Sequence, residues 1–256
     1  DDLRNYLVDM LMAGYNIQSC SNGKDALVII KEFNPDLVIS DIMMPEMSGD
    51  ELCSAIKGDL EMSHIPVVLL TAQGDEKNML EGLEIGADAY ITKPFSVGIL
   101  KATIKNLLAN RALLRQVYNS IEDKKQNLPV NCTNTMDWKF IASVKECIEK
   151  NMGDLDFGVD VLSNQHHMSR TSFYNKLKAL TGYAPADYIR MIRLQHAAQL
   201  LKQGEYTIAE ITDRVGFSDA KYFREVFKKY YGVSPSKYGE SEKTGSYPAI
   251  NLKNEK

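Results

Sequence analysis

The sequence lacks the features that would declare a chemistry at once. Its four cysteines, Cys20, Cys53, Cys132 and Cys147, are scattered with no metal-ligand spacing. That points to a reducing compartment and argues against a disulfide framework or a thiol catalyst. No apolar stretch approaches the length of a bilayer span, and the acidic N-terminus has no positively charged secretory segment, so a cytoplasmic chain is expected. The first residue is Asp1 rather than Met, which fits a piece of a longer protein and leaves open membrane segments upstream.

What is present is ample for folding. The 256 residues, 44% hydrophobic and 25% charged, suit one large or two ordinary globular domains. The net charge of −4 hides a division. Residues 1–137 carry 12 Lys/Arg against 20 Asp/Glu, a net of −8, whereas residues 138–240 carry 15 against 12, a net of +3. Only the second stretch suits a polyanionic partner. Between them, residues 117–137 are polar, include Pro129 and lack sustained periodicity, which reads as a linker; residues 241–256 read as a flexible tail.

In the acidic half, Tyr15–Cys20, Leu37–Ser40, Val67–Leu70 and Ala89–Thr92 read as short buried strands. Between and after them, Asp25–Phe33, Glu51–Ile56, Glu76–Ile85 and Val97–Leu114 have helical apolar spacing. Such βα alternation predicts a parallel sheet covered on both faces, with a crevice at the carboxyl ends of the strands. The strand ends supply Asp41, Thr71 and Lys93. A carboxylate there can attack a phosphoryl donor when a cation and a lysine neutralise the charge gathering on the oxygens, and a threonine hydroxyl can bind the product. Singly, each has a plainer role: Asp41 as a helix cap, Lys93 as a solvated charge, Thr71 bonded to its own backbone.

Taken together, the runs Leu37-Val38-Ile39-Ser40-Asp41-Ile42-Met43-Met44-Pro45-Glu46-Met47-Ser48-Gly49, Leu70-Thr71-Ala72 and Ala89-Tyr90-Ile91-Thr92-Lys93-Pro94-Phe95 resemble a two-component receiver domain over residues 1–116. The resemblance implies a flavodoxin-like α/β fold with Asp41 as phospho-acceptor, Thr71 as switch hydroxyl, Lys93 as phosphate contact, Tyr90 as switch aromatic and a cis Lys93–Pro94 bond. It also implies Mg²⁺ held partly by Asp41 and the backbone carbonyl of Met43. The family's first strand and its acidic metal-binding pair would fall before residue 1. The expectation is therefore a truncated parallel sheet with an exposed edge and impaired phosphorylation, Asp1 and Asp2 being placed on the first helix instead.

In the basic half, Ile141, Val144, Cys147/Ile148 and Met152 trace one helical face, ended at Gly153. Val159–Gln165 then leads through a turn to Ser169, an N-cap for a helix with Phe173, Leu177 and Leu180 on its inner face. The pattern returns at Ile208–Val215, Gly216-Phe217 and Ser218 onward. Phe173/Phe223, Lys178/Lys228, Gly182/Gly232 and Pro185/Pro235 are 50 residues apart, while Leu162/Ile211, Met168/Phe217 and Ser169/Ser218 are 49 apart. This internal duplication suits two helix-turn-helix units joined by a helix starting at Pro185, each exposing a second helix sized for the major groove. The bland alternative is a helical protein-interaction module whose lysines only keep it soluble. The turn histidines His166 and His167 form no ligand spacing with His64 or His196, so a surface or turn role is preferred to metal binding there.

Residues 138–240 resemble an AraC-type DNA-binding domain through Ser169-Arg170-Thr171-Ser172-Phe173-Tyr174-Asn175-Lys176-Leu177-Lys178 and Gly216-Phe217-Ser218 through Ser234-Pro235. That implies Arg170, Thr171, Tyr174 and Asn175 facing the groove in the first unit and Ala220, Lys221, Arg224 and Glu225 in the second. Lys178, Lys228 and Lys229 suit phosphates, and Glu225 suits either accepting from cytosine N4 or, in preference, an ion pair with Lys221 or Lys229. The overall expectation is an α/β receiver plus an all-α domain with two helix-turn-helix units. Such a chain would be a phosphorylation-regulated DNA-binding transcriptional regulator, not itself an enzyme, homodimeric, with double-stranded DNA and a histidine-kinase phosphodonor as partners. The domain order resembles the output part of bacterial hybrid sensor kinases, whose parent would sit in the inner membrane; a freestanding response regulator is the near alternative.

Overall fold

The computed structural model describes residues 2–72, 86–119 and 135–244. They fall into two compact units, one comprising Asp1–Lys139 with Asn175–Gly182, the other Phe140–Tyr174 with Tyr183–Lys256.

The first unit contains α1 (Asp2–Leu11), α2 (Gly23–Phe33), β1 (Val38–Asp41), α3 (Gly49–Gly58), β2 (Val67–Thr71), β3 (Ala89–Thr92) and α4 (Val97–Asn119). The three strands form a parallel sheet in the order β1-β2-β3. Every residue of β2 is buried, as a central parallel strand requires when both its faces are covered. Val67 and Leu69 pack with Ile30, Leu52 and Ile56 on one side, while Val68 and Leu70 pack with Leu11, Leu100 and Ile104 on the other. Two apolar layers thus clamp the sheet and hold its carboxyl ends in a row.

One strand expectation fails. Tyr15–Cys20 pair with no strand among the described residues; only Ile17 packs on the core, while Tyr15, Asn16, Gln18 and Ser19 are exposed. Val38 to Asp41 ladder only with β2, so among the described residues this segment has no ladder to make it a strand. The helix expected over 76–85 lies outside the described residues.

The remaining helices are α5 (Thr135–Lys150), α6 (Val159–Gln165), α7 (Arg170–Thr181), α8 (Pro185–Gln203), α9 (Ile208–Arg214), α10 (Ala220–Tyr231) and α11 (Pro235–Thr244). Pro185 occupies the first turn of α8, where its missing N–H is harmless, and Gly204 closes that helix in the left-handed region at φ 72. Tyr188, Ile189, Ile192, Ala197, Leu200 and Leu201 are buried, so α8 is the spine of the second unit, packed by α9 and α11. Helix α11 runs to Thr244, beyond the point where the tail was expected to begin. Among the described residues no helix is long and apolar enough to cross a membrane.

Candidate phosphoryl-acceptor site and nucleic-acid interface

Strand pairing assembles the first site. Asp41 ends β1 opposite Leu70, Thr71 ends β2 opposite Thr92, and the Lys93 amide donates to the Thr71 carbonyl at 2.7 Å. Lys93 Nζ lies 2.5 Å from Asp41 Oδ2, and the Met43 amide donates to Asp41 Oδ1 at 3.2 Å. Both carboxylate oxygens therefore accept, one from an ammonium group and one from backbone. Thr71 is 3% exposed and its hydroxyl donates to the Ala72 carbonyl at 3.3 Å. The Lys93–Pro94 bond is cis.

The loop after β1 is held tightly. The Gly49 amide donates to the Ile42 carbonyl at 3.0 Å, and a Cβ at Gly49 would lie 2.2 Å from the Asp41 carbonyl oxygen. Only glycine permits that approach. Ser48 caps α3 reciprocally with Glu51, which fixes the helix entry beside the carboxylate. Tyr90 stands on β3 among the Ile56 and Leu69 layer; burial pushes its hydroxyl up to about 12, helped by Cys53 and Asp50. That hydroxyl is buried with no hydrogen-bond partner among the described residues.

Asp41 and Met43 do not by themselves make a divalent-cation site. Among the described residues no three acidic, histidine or cysteine side chains gather to hold a metal, and Asp41 already neutralises Lys93. A magnesium ion takes near-octahedral oxygen ligation from carboxylates, water and phosphate, a set these two residues leave incomplete.

Helices α7 and α10 carry the second candidate surface. Ser169 Oγ accepts from the Ser172 amide at 3.0 Å, and Asp219 accepts from the Lys221 and Tyr222 amides at 3.2 and 2.8 Å. The caps are thus Ser169 and Asp219, 50 residues apart, which places the one-residue length change at Ser218, inside the turn. The turns match too: His167 at φ 53 corresponds to Gly216 at φ 70, 49 residues on. Histidine there carries a left-handed strain that glycine does not. A Cβ at Gly216 would lie 2.4 Å from the Met152 carbonyl oxygen, and Arg193 donates to the Gly216 carbonyl at 2.8 Å, so the second turn is tied down.

Arg170, Thr171, Tyr174, Lys178, Lys221, Arg224, Glu225, Lys228 and Lys229 are exposed, and Asn175 and Ala220 are half-buried. Phe173, Leu177, Phe223 and Phe227 point inward. The ion pair expected for Glu225 does not form: neither Lys221 nor Lys229 pairs with it among the described residues. Arg170 instead meets Asp160, at 3.0 Å. His166 is half-buried at the end of α6, with Nδ1 against the Leu162 carbonyl at 2.8 Å and its ring edge-on to Phe140.

Sequence reasoning missed one cluster. Lys176 is fully buried, its Nζ 2.6 Å from Asp137 Oδ1 and 2.9 Å from Ser63 Oγ, all within the first unit. Arg115 and Asn119 of α4 donate to the Ala179 and Thr181 carbonyls at 3.0 and 2.8 Å, satisfying the unpaired end of α7. The available signal was positional: Lys176 occupies i+3 from Phe173 on an otherwise apolar face, where a lysine requires an acidic partner.

Comparison with known proteins matches a domain family to each part of the chain. The response regulator receiver domain matches residues 1–105, and a helix-turn-helix domain matches residues 162–241. The chain is thus a receiver and helix-turn-helix protein, related to two-component response regulators and histidine kinases. It is 41% identical over 237 residues to histidine kinase P4 of Formosa agariphila, covering 92% of this chain and 17% of that protein. It is 45% identical over 101 residues to the phosphate regulon regulator PhoB of Pseudomonas aeruginosa, covering 40% of this chain and 44% of PhoB. It is 29% identical over 189 residues to the dual master regulator RpaA of Synechocystis, covering 73% and 76%. The chain therefore spans less than half the length of P4 and of PhoB.

The AraC-type expectation for residues 138–240 is corrected by these findings. The matched stretch begins at residue 162, leaving out all of α5, and the response regulators matched are of the PhoB and RpaA kind. A helix-turn-helix domain stands; the narrower family assignment is withdrawn. The duplicated residues specify caps, turns and an inner face, which any helix-turn-helix arrangement needs.

Proposed function

We propose that the chain is the output part of a hybrid sensor kinase: a phosphoryl-accepting receiver (residues 1–116), a linker (117–137) and a sequence-specific DNA-binding domain (138–240). The observation that carries this reading is the pair of capped helices, α7 and α10, each presenting a polar cationic face opposite buried residues that include Phe173 in one and Phe223 and Phe227 in the other, on the same chain as an Asp41–Lys93 pair at parallel strand ends. In this reading Asp41 accepts the phosphoryl group, Lys93 and Thr71 contact it, and Tyr90 repacks with the change in charge. Arg170, Asn175 and Arg224 read base edges, Thr171, Tyr174, Ala220, Lys221 and Glu225 line the groove, and Lys178, Lys228 and Lys229 position phosphates. The similarity to histidine kinase P4 over 92% of the chain supports a kinase-containing parent that supplies the phosphoryl group, with this portion in the cytoplasm. Homodimerisation on DNA belongs to the same proposal.

Selection from a random duplex library, followed by salt-dependent anisotropy on the selected duplex, tests the DNA-binding reading. Arg170→Ala is expected to lose discrimination between selected and scrambled duplex more than it loses nonspecific affinity. Lys228→Ala is expected to weaken both and to reduce the salt slope by about one. Enrichment of no sequence would reject the DNA-binding reading in favour of a protein-interaction module.

A further inference from the structure

Asp160 is an acidic residue where a DNA reader has least use for one. It lies in the first turn of α6, exposed, with Oδ1 3.0 Å and Oδ2 3.4 Å from Arg170 Nη1 at the start of α7. A carboxylate beside a duplex is repelled by phosphate, so its presence calls for an offsetting role. The internal duplication supplies a comparison within the same chain. At the 49-residue offset Asp160 corresponds to Ala209, and at the 50-residue offset Arg170 corresponds to Ala220. Carboxylate and guanidinium occur together in the first unit and are both alanine in the second.

We propose that Asp160 is a positioning residue for Arg170, holding the guanidinium by one terminal nitrogen so that its other edge is presented to a base. Only Nη1 contacts Asp160, which leaves the Nη2 and Nε edge as two parallel donors, the geometry that reads the O6 and N7 acceptors of guanine. An unpaired arginine must lose its rotamer freedom on binding; one already held by a carboxylate loses less. The first unit then reads a guanine through an arranged charge, and the second, with two alanines, reads its corresponding base without one. The inference rests on the DNA-binding reading above.

The test uses the whole chain and the duplex selected by the wild type, with that duplex carrying a substituted guanine as competitor. Asp160→Ala is expected to lower discrimination at that single position by roughly two- to tenfold, the worth of ordering one long side chain. Asp160→Asn, which keeps an acceptor, should restore part of it, and thermal unfolding should be unchanged for both. Placing the pair in the second unit gives an independent measurement: Ala220→Arg with Ala209→Asp should gain guanine preference there, and Ala220→Arg alone should gain less. A uniform rise in affinity for all duplexes in Asp160→Ala, with discrimination intact, would overturn the proposal, since the carboxylate would then act only as a repulsive charge. A wild type that prefers no duplex would instead overturn the DNA-binding reading itself.

Discussion

Gly49→Ala probes the acceptor site through its backbone. The added Cβ would lie 2.2 Å from the Asp41 carbonyl oxygen and 2.9 Å from its carbonyl carbon, whereas real Cβ atoms essentially never come within 3.0 Å. Restoring an ordinary contact requires the end of β1 and the start of α3 to separate by about 1 Å. The 2.5 Å contact between Lys93 Nζ and Asp41 would stretch toward about 3.5 Å if that shift fell on the strand. Overpacking of this kind costs about 1–3 kcal/mol. With a urea slope of about 1–3 kcal/mol/M for a small domain, the unfolding midpoint should fall by roughly 1 M. Ser48→Ala is the control, because it removes the α3 cap, at a cost of about 1 kcal/mol, without pressing on Asp41. Labelling of Asp41 by an acyl phosphate, measured relative to wild type, should slow in Gly49→Ala and hold in Ser48→Ala. If Gly49→Ala unfolds at the wild-type midpoint and labels at the wild-type rate, the close approach of α3 to β1 does not shape the site.

Three further outcomes follow from other parts of the structure. Lys176→Met strands the Asp137 carboxylate in the interior and should cost about 3–5 kcal/mol, while Lys176→Met with Asp137→Leu should recover most of it; equal losses in urea titrations would contradict the pairing. His64 is buried and faces the cations Arg111, Lys176 and Lys57, so burial first and then these charges hold it well below its ordinary value of 6.5. Below about pH 6.5 the unfolded chain gains a proton that the folded one refuses, so stability should be level above that pH. It should then fall by up to about 1.4 kcal/mol per pH unit below it, a slope that His64→Gln should reduce in denaturation midpoints. His167→Gly should stabilise by about 1 kcal/mol by relieving its left-handed backbone, and Gly216→Ala should destabilise because its Cβ meets the Met152 carbonyl; differential scanning calorimetry on the pair reads both signs.

Much of the fold was legible because its signals are local. The all-buried run Val67-Val68-Leu69-Leu70 reads as a central parallel strand, and polar residues placed after such runs must gather at one end of the sheet. The duplication likewise revealed two helices of matching pattern, and the one-residue length difference between the copies falls at Ser218, with Asp219 capping the second helix. Long-range partners were not legible. Lys176 resembles a solvated charge until Asp137 and Ser63, far away in sequence, are brought to it. The segment Tyr15–Cys20 has strand-like composition but no neighbouring ladder among the described residues, a condition that sequence alone does not record.

The most direct test of the account is DNA affinity measured on molecules whose Asp41 carries a phosphoryl group. Samples labelled with an acyl phosphate and separated from unlabelled chain should differ from it in affinity for the selected duplex, and Asp41→Asn treated identically should show no difference. Equal affinity in labelled and unlabelled chain would contradict the claim that charge at Asp41 governs how the reader helices meet DNA.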